Sequence, residues 1–249
     1  MKKSLVIEKI PETNAIFENV NDVMEAVVEA NDESIAVISI DDKATKKIGK
    51  LSDNGKTWSN EKALDHDIIF EYSMKPFGIL DILTNETFVT CTPYCSTSEF
   101  KVNCIREYIT QKNKKNKIKK LVIFLDNGPE NSGKRKLWLK KLVDLSIEYK
   151  IVIELVYYPP YHSKYNKIER FWARLQMYWN DIVMDSIEKL DKSLNTVTWK
   201  GIKCRGNICF EEYKKGKEVS NEEMKTADLH IIREDGLEKW SIVITPFSN

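Results

Sequence analysis

Two near-continuous apolar runs that each end on aspartate constrain the fold of this chain most. Residues 35–41 (IAVISID) and 121–126 (LVIFLD) consist mostly of β-branched and aliphatic side chains, with a carboxylate at the end. Runs of this kind form strands that are buried on both faces, as in a sheet covered by helices. The carboxyl ends of strands form the ligand crevice of an open α/β sheet. The sequence therefore predicts an α/β domain with Asp41 and Asp126 at that crevice.

A third carboxylate, Glu169, follows an irregular segment. Residues 151–157 predict another strand, and the prolines at 159 and 160 end it. After them, apolar side chains recur at the spacing of one helix face: Ile168, Phe171, Trp172, Leu175 and Trp179. Glu169 is therefore predicted to lie in the first helical turn, where it can lean over the strand ends.

Three clustered carboxylates need a cation. Two charges about 4 Å apart repel each other by about 4 kcal/mol at an effective dielectric constant near 20. Oxygen ligands without a Cys or His cluster select Mg²⁺ or Mn²⁺ over zinc. The alternative is structural: Asp41 and Asp126 end their strands as turn residues, and Glu169 is a first-turn acid that faces the helix dipole.

The order of predicted elements and three local strings resemble a known family. The order is strand (35–41), hairpin (79–93), helix (97–111), strand (121–126), helix (132–150, with Asn131 or Ser132 as N-cap), strand (151–157) and helix (163–180), which looks like the ribonuclease-H-like fold. The strings 39–41 (SID), 125–131 (LDNGPEN) and 159–170 (PPYHSKYNKIER) resemble the catalytic domain of bacterial insertion-sequence transposases of the DDE type, in a group related to the mariner superfamily.

This resemblance implies a function and a site. Asp41, Asp126 and Glu169 would be the catalytic, metal-binding triad, whereas Asp42 matches a non-catalytic position. The implied activity is DNA strand cleavage and strand transfer with two Mg²⁺ ions, Mn²⁺ being the alternative ion. The DNA partners would be insertion-sequence ends and target DNA, and strand transfer of two ends suggests a homodimer by analogy.

The resemblance also implies a domain organisation. Such transposases usually carry a long N-terminal helix-turn-helix segment before the first catalytic strand, but 34 residues precede Ile35 here. We expect a lead-in at residues 1–34, a mixed-sheet catalytic domain at 35–180, and a small α+β C-terminal extension at 181–249 packed on it. A truncated or split enzyme is expected, with a separate segment for DNA recognition.

Charge limits where DNA can bind. The net charge is only +1, so DNA affinity must come from local patches rather than from a generally basic surface. The candidate DNA-binding residues flank the predicted acidic site: Lys134, Arg135, His162, Lys164 and Arg170. The alternative for them is a solvated helix face or simple loop packing.

Other features point to a cytoplasmic protein. The sequence has no apolar run that is long enough to span a membrane, and its N-terminal apolar stretch is too short for a signal peptide. The five cysteines are odd in number and lack zinc-site spacing, so reduced thiols are expected.

Three rival interpretations stay open. The chain could be an inactive transposase remnant that keeps its triad. It could be another ribonuclease-H-like nuclease. That enzyme class usually has a fourth catalytic carboxylate, and Glu130 is the candidate here. A non-enzymatic protein-binding module would predict no metal dependence.

Overall fold

A computed structural model describes residues 10–50, 71–180 and 182–247. The helices are α1 (Thr13–Ala30), α2 (Ser98–Asn113), α3 (Lys136–Tyr149), α4 (Glu169–Trp179), α5 (Ile187–Leu194) and α6 (Asn221–Asp228). The strands are β1 (Ile35–Asp42), β2 (Lys46–Ile48), β3 (Tyr72–Asp81), β4 (Thr87–Thr92), β5 (Lys120–Leu125), β6 (Val152–Tyr157), β7 (Thr198–Trp199), β8 (Ile202–Lys203), β9 (Arg205–Ile208), β10 (Ile231–Arg233) and β11 (Ser241–Ile244).

One mixed sheet organises the described chain. Its strand order is β10-β11-β6-β5-β1-β3-β4-β9, with β2 paired to β3, and β7 and β8 form a separate small hairpin. The central strands β1, β5 and β6 are parallel, and β3 and β4 continue the sheet in antiparallel fashion beside β1. The predicted mixed α/β, ribonuclease-H-like fold is confirmed.

Side chains alternate between two helix-covered faces. Along β1, Ile38 and Ile40 join a core with α2, α3 and α6, whereas Val37 joins a second core with α1. By the same alternation Ser39 and Asp41 point to the second face, which also carries α4 and α5. Burial on both faces explains why the strand runs are almost uninterruptedly apolar.

Two predicted helix starts are wrong, for related reasons. The helix predicted over 132–150 begins at Lys136, and neither Asn131 nor Ser132 is its N-cap. The Asn131 side chain instead donates a hydrogen bond to the Asp126 carbonyl at 2.8 Å. The helix predicted over 163–180 begins at Glu169, because the Asn166 side chain turns inward and donates to the Ile40 carbonyl at 3.1 Å.

The regions outside residues 35–180 contribute to the same structure. Helix α1, in the predicted lead-in, packs Val20 and Val27 into the second core. Strand β9 pairs with β4 and strand β11 pairs with β6, so the C-terminal part supplies strands toward both ends of the sheet. The division into three regions stays a prediction.

Two further predictions concern cysteines and membranes. All five cysteines are unpaired, and three of them are buried: Cys91, Cys104 and Cys204. Among the described residues, we find no helix that is long and apolar enough to cross a membrane.

Candidate active site

Asp41 and Asp126 come from neighbouring strand ends. Strands β1 and β5 are parallel, with Ile40 opposite Leu125, so the next residue of each chain segment is the aspartate. Both aspartates continue the alternation toward the face that carries α4. Glu169 is the first residue of α4. The three elements thus bring the sequence-predicted acids to one edge of the sheet.

The carboxylates influence one another electrostatically. Burial, followed by repulsion from Asp126, Glu169 and Asp42, raises the pKa of Asp41 to about 7. Burial also raises the pKa of Asp126, with a further contribution from Glu169. Asp126 and Glu169 therefore oppose ionisation of Asp41, and a cation among the three acids would relieve this repulsion.

Helix α4 contacts Asp41 through Trp172. The indole Nε1 donates a hydrogen bond to Asp41 Oδ2 at 3.2 Å. This approach requires Gly78, which lies opposite Asp41 on β3. A Cβ at position 78 would lie 2.3 Å from the Trp172 ring and 2.8 Å from Ile168 Cδ1. The missing side chain on β3 therefore makes room for the ring that holds Asp41.

Asp42 is occupied by other partners. Its Oδ1 accepts a hydrogen bond from Ser96 Oγ at 2.6 Å, and its Oδ2 pairs with Lys101 Nζ at 2.6 Å. These contacts support the assignment of the ligand role to Asp41 rather than to Asp42.

Lys101 is a site residue that the sequence reasoning missed. Its side chain is 5% exposed, and its Nζ also donates to Asn131 Oδ1 at 2.9 Å. Because Asn131 holds the Asp126 carbonyl, Lys101 connects the end of β1 with the segment after β5. The available signal was a lysine four residues before Ile105, on the apolar face of α2.

A cavity of about 250 Å³ lies against these groups, and Asp41, Asp126 and Lys101 are among the residues that line it. Glu130 also lines the cavity. Its carboxylate accepts hydrogen bonds from the Ser98 amide at 3.3 Å and from the Ser98 hydroxyl at 3.1 Å. The cavity has room for a small charged group beside the two aspartates.

The candidate DNA-binding residues lie in different settings. Lys134 is exposed before α3, and Arg135 faces Glu130 at 3.6 Å. His162 packs edge-on against Phe17 of α1 and contacts the Pro160 carbonyl at 2.7 Å.

The other two candidates lie nearer the third acid. Lys164 is exposed with its ammonium over the Tyr165 ring, and Arg170 is exposed directly after Glu169. Lys164 and Arg170 therefore lie close to Glu169 in the chain. Lys134 and Arg135 lie instead in the segment that follows Asp126.

The donor set fits a hard divalent cation in its chemistry. Within residues 10–50, 71–180 and 182–247, no group of three Cys, His, Asp or Glu side chains is arranged to hold a metal ion. However, Asp126 Oδ1 is buried without a hydrogen-bond partner in the described structure, and such an oxygen normally requires one. Three repelling carboxylates with one unsatisfied oxygen match the oxygen ligands that Mg²⁺ and Mn²⁺ prefer.

Comparison with known proteins identifies the family. A search of curated proteins found no match. The sequence profile of the family described as Rhodopirellula transposase DDE domain matches residues 1–246. This match covers nearly the whole chain, including both strand-end aspartates and the helix that begins at Glu169. The chain therefore belongs to the Rhodopirellula transposase DDE domain family.

Proposed function

We propose that this transposase domain cleaves DNA and transfers the cut strand with the help of divalent cations held by Asp41, Asp126 and Glu169. One observation carries this proposal. Burial beside three other carboxylates raises the pKa of Asp41 to about 7, a setting that favours a bound cation. Family membership supports the DNA substrate.

The three acids would share the work of holding the cations. Asp41 and Asp126 would bind from the strand ends, and Glu169 would complete the site from α4. Bound Mg²⁺, as two ions with Mn²⁺ as an alternative, would activate a water or a 3′-hydroxyl and neutralise charge at the phosphate. The indole of Trp172 would keep Asp41 oriented, because its hydrogen bond occupies one carboxylate oxygen. Attack by water would cut a strand, and attack by the freed 3′-hydroxyl would join it to target DNA.

DNA would lie along the exposed side of α4. Arg170 and Arg174 are four residues apart, so they share one helix face, and both are exposed. Lys167 is exposed just before the helix. These side chains would hold backbone phosphates next to Glu169 without reading base sequence. We add Lys164, and on the β5 side Lys134 and Arg135, to this interface.

The wider biological assignment follows from the resemblance of the sequence strings. We propose that the DNA is the end of a bacterial insertion sequence related to the mariner group. We also propose that the enzyme acts in the cytoplasm as a homodimer, since strand transfer joins two ends.

Plasmid nicking tests the proposed chemistry directly. Supercoiled plasmid is incubated with the wild-type chain and Mg²⁺ or Mn²⁺, and open-circle product is measured. Asp126→Asn removes a proposed ligand with little change in shape. Asp144→Asn is the matched control, because Asp144 is a half-exposed residue of α3 that pairs with Lys140 at 2.5 Å.

The expected result is metal-dependent nicking by the wild type and by Asp144→Asn, with nearly complete loss in Asp126→Asn. Folded wild-type protein that does not nick would favour the inactive remnant. Equal nicking by all three proteins would show that the assigned site is wrong or that a contaminant is active.

A further inference from the structure

A buried polar cluster joins β1 to the start of α4. Ser39 is 0% exposed and Asn166 is 1% exposed. The Ser39 hydroxyl donates a hydrogen bond to Asn166 Oδ1 and accepts one from the Ile168 amide at 3.0 Å. The Asn166 side chain donates through Nδ2 to the Ile40 carbonyl at 3.1 Å. Every side-chain polar atom in this cluster therefore has a partner.

The cluster touches the backbone on both sides of the proposed site. The Ile40 carbonyl belongs to the peptide bond that precedes Asp41. The Asn166 backbone carbonyl accepts a hydrogen bond from the Glu169 amide at 3.1 Å. Asn166 thus contacts the main chain directly before Asp41 and at Glu169 itself, although these two proposed ligands lie far apart in the sequence.

The same cluster supplies a helix cap from a distant strand. Ile168 is the N-cap position of α4, and its own side chain makes no capping hydrogen bond. The Ile168 amide is bound by Ser39, 129 residues away. A local N-cap side chain would bind amides of the second or third helical residue without involving the sheet. The bond from Ser39 differs because it also fixes where the helix begins relative to β1.

Burial of these groups carries a cost that an apolar contact would avoid. A buried hydroxyl or amide is tolerated only when its hydrogen bonds are made, and a partly satisfied network is destabilising. Hydrogen bonds, unlike apolar contacts, have a defined direction and length. A polar cluster at this point therefore fixes the position of the α4 start relative to β1, at a cost in folding stability.

We propose that Asn166, supported by Ser39, is a positioning residue that sets the spacing between Asp41 and Glu169 for metal binding and catalysis. The proposal rests on the metal-dependent function proposed above. Neither residue touches DNA or metal in this role. Both act through the backbone of the segments that carry the acids.

The test compares Asn166→Ala and Ser39→Ala with the wild type and with Ser146→Ala. Ser146 is a matched control, because it is also 0% exposed and its hydroxyl donates to the Ile151 carbonyl at 2.6 Å, in α3 on the other face of the sheet. Mn²⁺ affinity is measured by calorimetry on each folded protein. Plasmid nicking is measured at saturating Mn²⁺ over a range of DNA concentrations.

The expected outcome is a loss of about 10–100-fold in Mn²⁺ affinity or in the maximal nicking rate for the two cluster variants, as is usual for residues that orient metal ligands. The KM for plasmid should change little. Ser146→Ala should keep the wild-type Mn²⁺ affinity and nicking rate, even if its melting temperature falls as much as that of the cluster variants. Should Asn166→Ala not fold, the milder Ser39→Ala decides alone.

Two outcomes overturn the proposal, and they are distinguishable. If the cluster variants bind Mn²⁺ and nick DNA like the wild type, only the positioning role fails. If the wild type itself neither binds Mn²⁺ nor nicks DNA, the proposed function fails and the positioning role fails with it.

Discussion

Among single residues, Asp41 is a partly buried carboxylate that neighbouring acids repel. It is held by Trp172, yet it lies beside three other acids. The sequence could place this aspartate at a strand end, because an apolar run that stops on an acid is visible in one dimension. Its raised pKa could not be predicted in the same way, since burial and the neighbouring carboxylates come from β5 and α4.

This raised pKa predicts how stability depends on pH in metal-free protein. A carboxyl whose pKa rises from 3.8 when unfolded to about 7 when folded stabilises the fold only while it is protonated. Its contribution is complete below about pH 4 and is lost as the pH rises through 7. In EDTA, we expect the wild type to lose roughly 2–4 kcal/mol of unfolding free energy from pH 4 to pH 8 relative to Asp41→Asn.

Urea unfolding at a series of pH values measures this difference. Asn at position 41 keeps an acceptor for Trp172 but cannot ionise, so it is the direct comparison. Saturating Mg²⁺ should restore wild-type stability at pH 8, because the cation replaces the proton. Identical pH profiles for the two proteins in EDTA would contradict the assigned environment of Asp41.

At the scale of elements, the docking of α4 on β3 depends on one missing side chain. Trp172 fills the space above Gly78, where a methyl group would lie 2.3 Å from the ring. We expect Gly78→Ala to lower the unfolding free energy by roughly 1–3 kcal/mol through overpacking.

A double-mutant cycle with Trp172→Phe shows whether this contact is the cause. The smaller ring lacks the atoms that the new methyl group meets, so the combined variant should recover part of the loss, with a coupling energy of roughly 1 kcal/mol or more. Strictly additive effects of the two substitutions would place the strain elsewhere.

The elements also show what sequence reasoning could reach. Strand runs and the apolar face of α4 were predicted because burial leaves a periodic pattern in the sequence. Glu169 lies in the first turn of α4, as predicted. The helices predicted to begin at 132 and 163 begin later, because Asn131 bonds to the Asp126 carbonyl after β5 and Asn166 bonds to β1. Lys101 was missed for the same reason: Asp42 and Asn131, its partners, lie on other elements.

At the scale of the whole molecule, charge is distributed unevenly despite a net charge of +1. Several basic side chains near α2 are paired with acids. Glu86 pairs with Lys112, Lys115 and Arg205, and Glu99 pairs with Lys141 and Lys217. In the described part of the chain, Arg170 and Arg174 make no such pair. These two arginines therefore offer unpaired positive charge to DNA phosphates on the helix that begins at Glu169.

This distribution predicts the salt dependence of DNA binding. Each phosphate contact adds about 0.9 to the slope of log affinity against log salt concentration. We expect the double variant Arg170→Ala/Arg174→Ala, in an Asp126→Asn background that prevents cleavage, to bind a short duplex more weakly and with a slope reduced by about two. Fluorescence anisotropy over a range of NaCl concentrations measures both quantities.

A control variant separates local from general charge. Lys225→Ala removes an exposed cation from α6, on the opposite face of the sheet. If DNA lies along α4, this change should leave the slope nearly unaltered, because counterions are released only where phosphates are neutralised. Equal effects of Lys225 and the two arginines would mean that binding follows net charge, and the α4 interface would then be wrong. A reduced slope confined to the arginine variant would place the DNA backbone beside Glu169, next to the acids that are proposed to cut it.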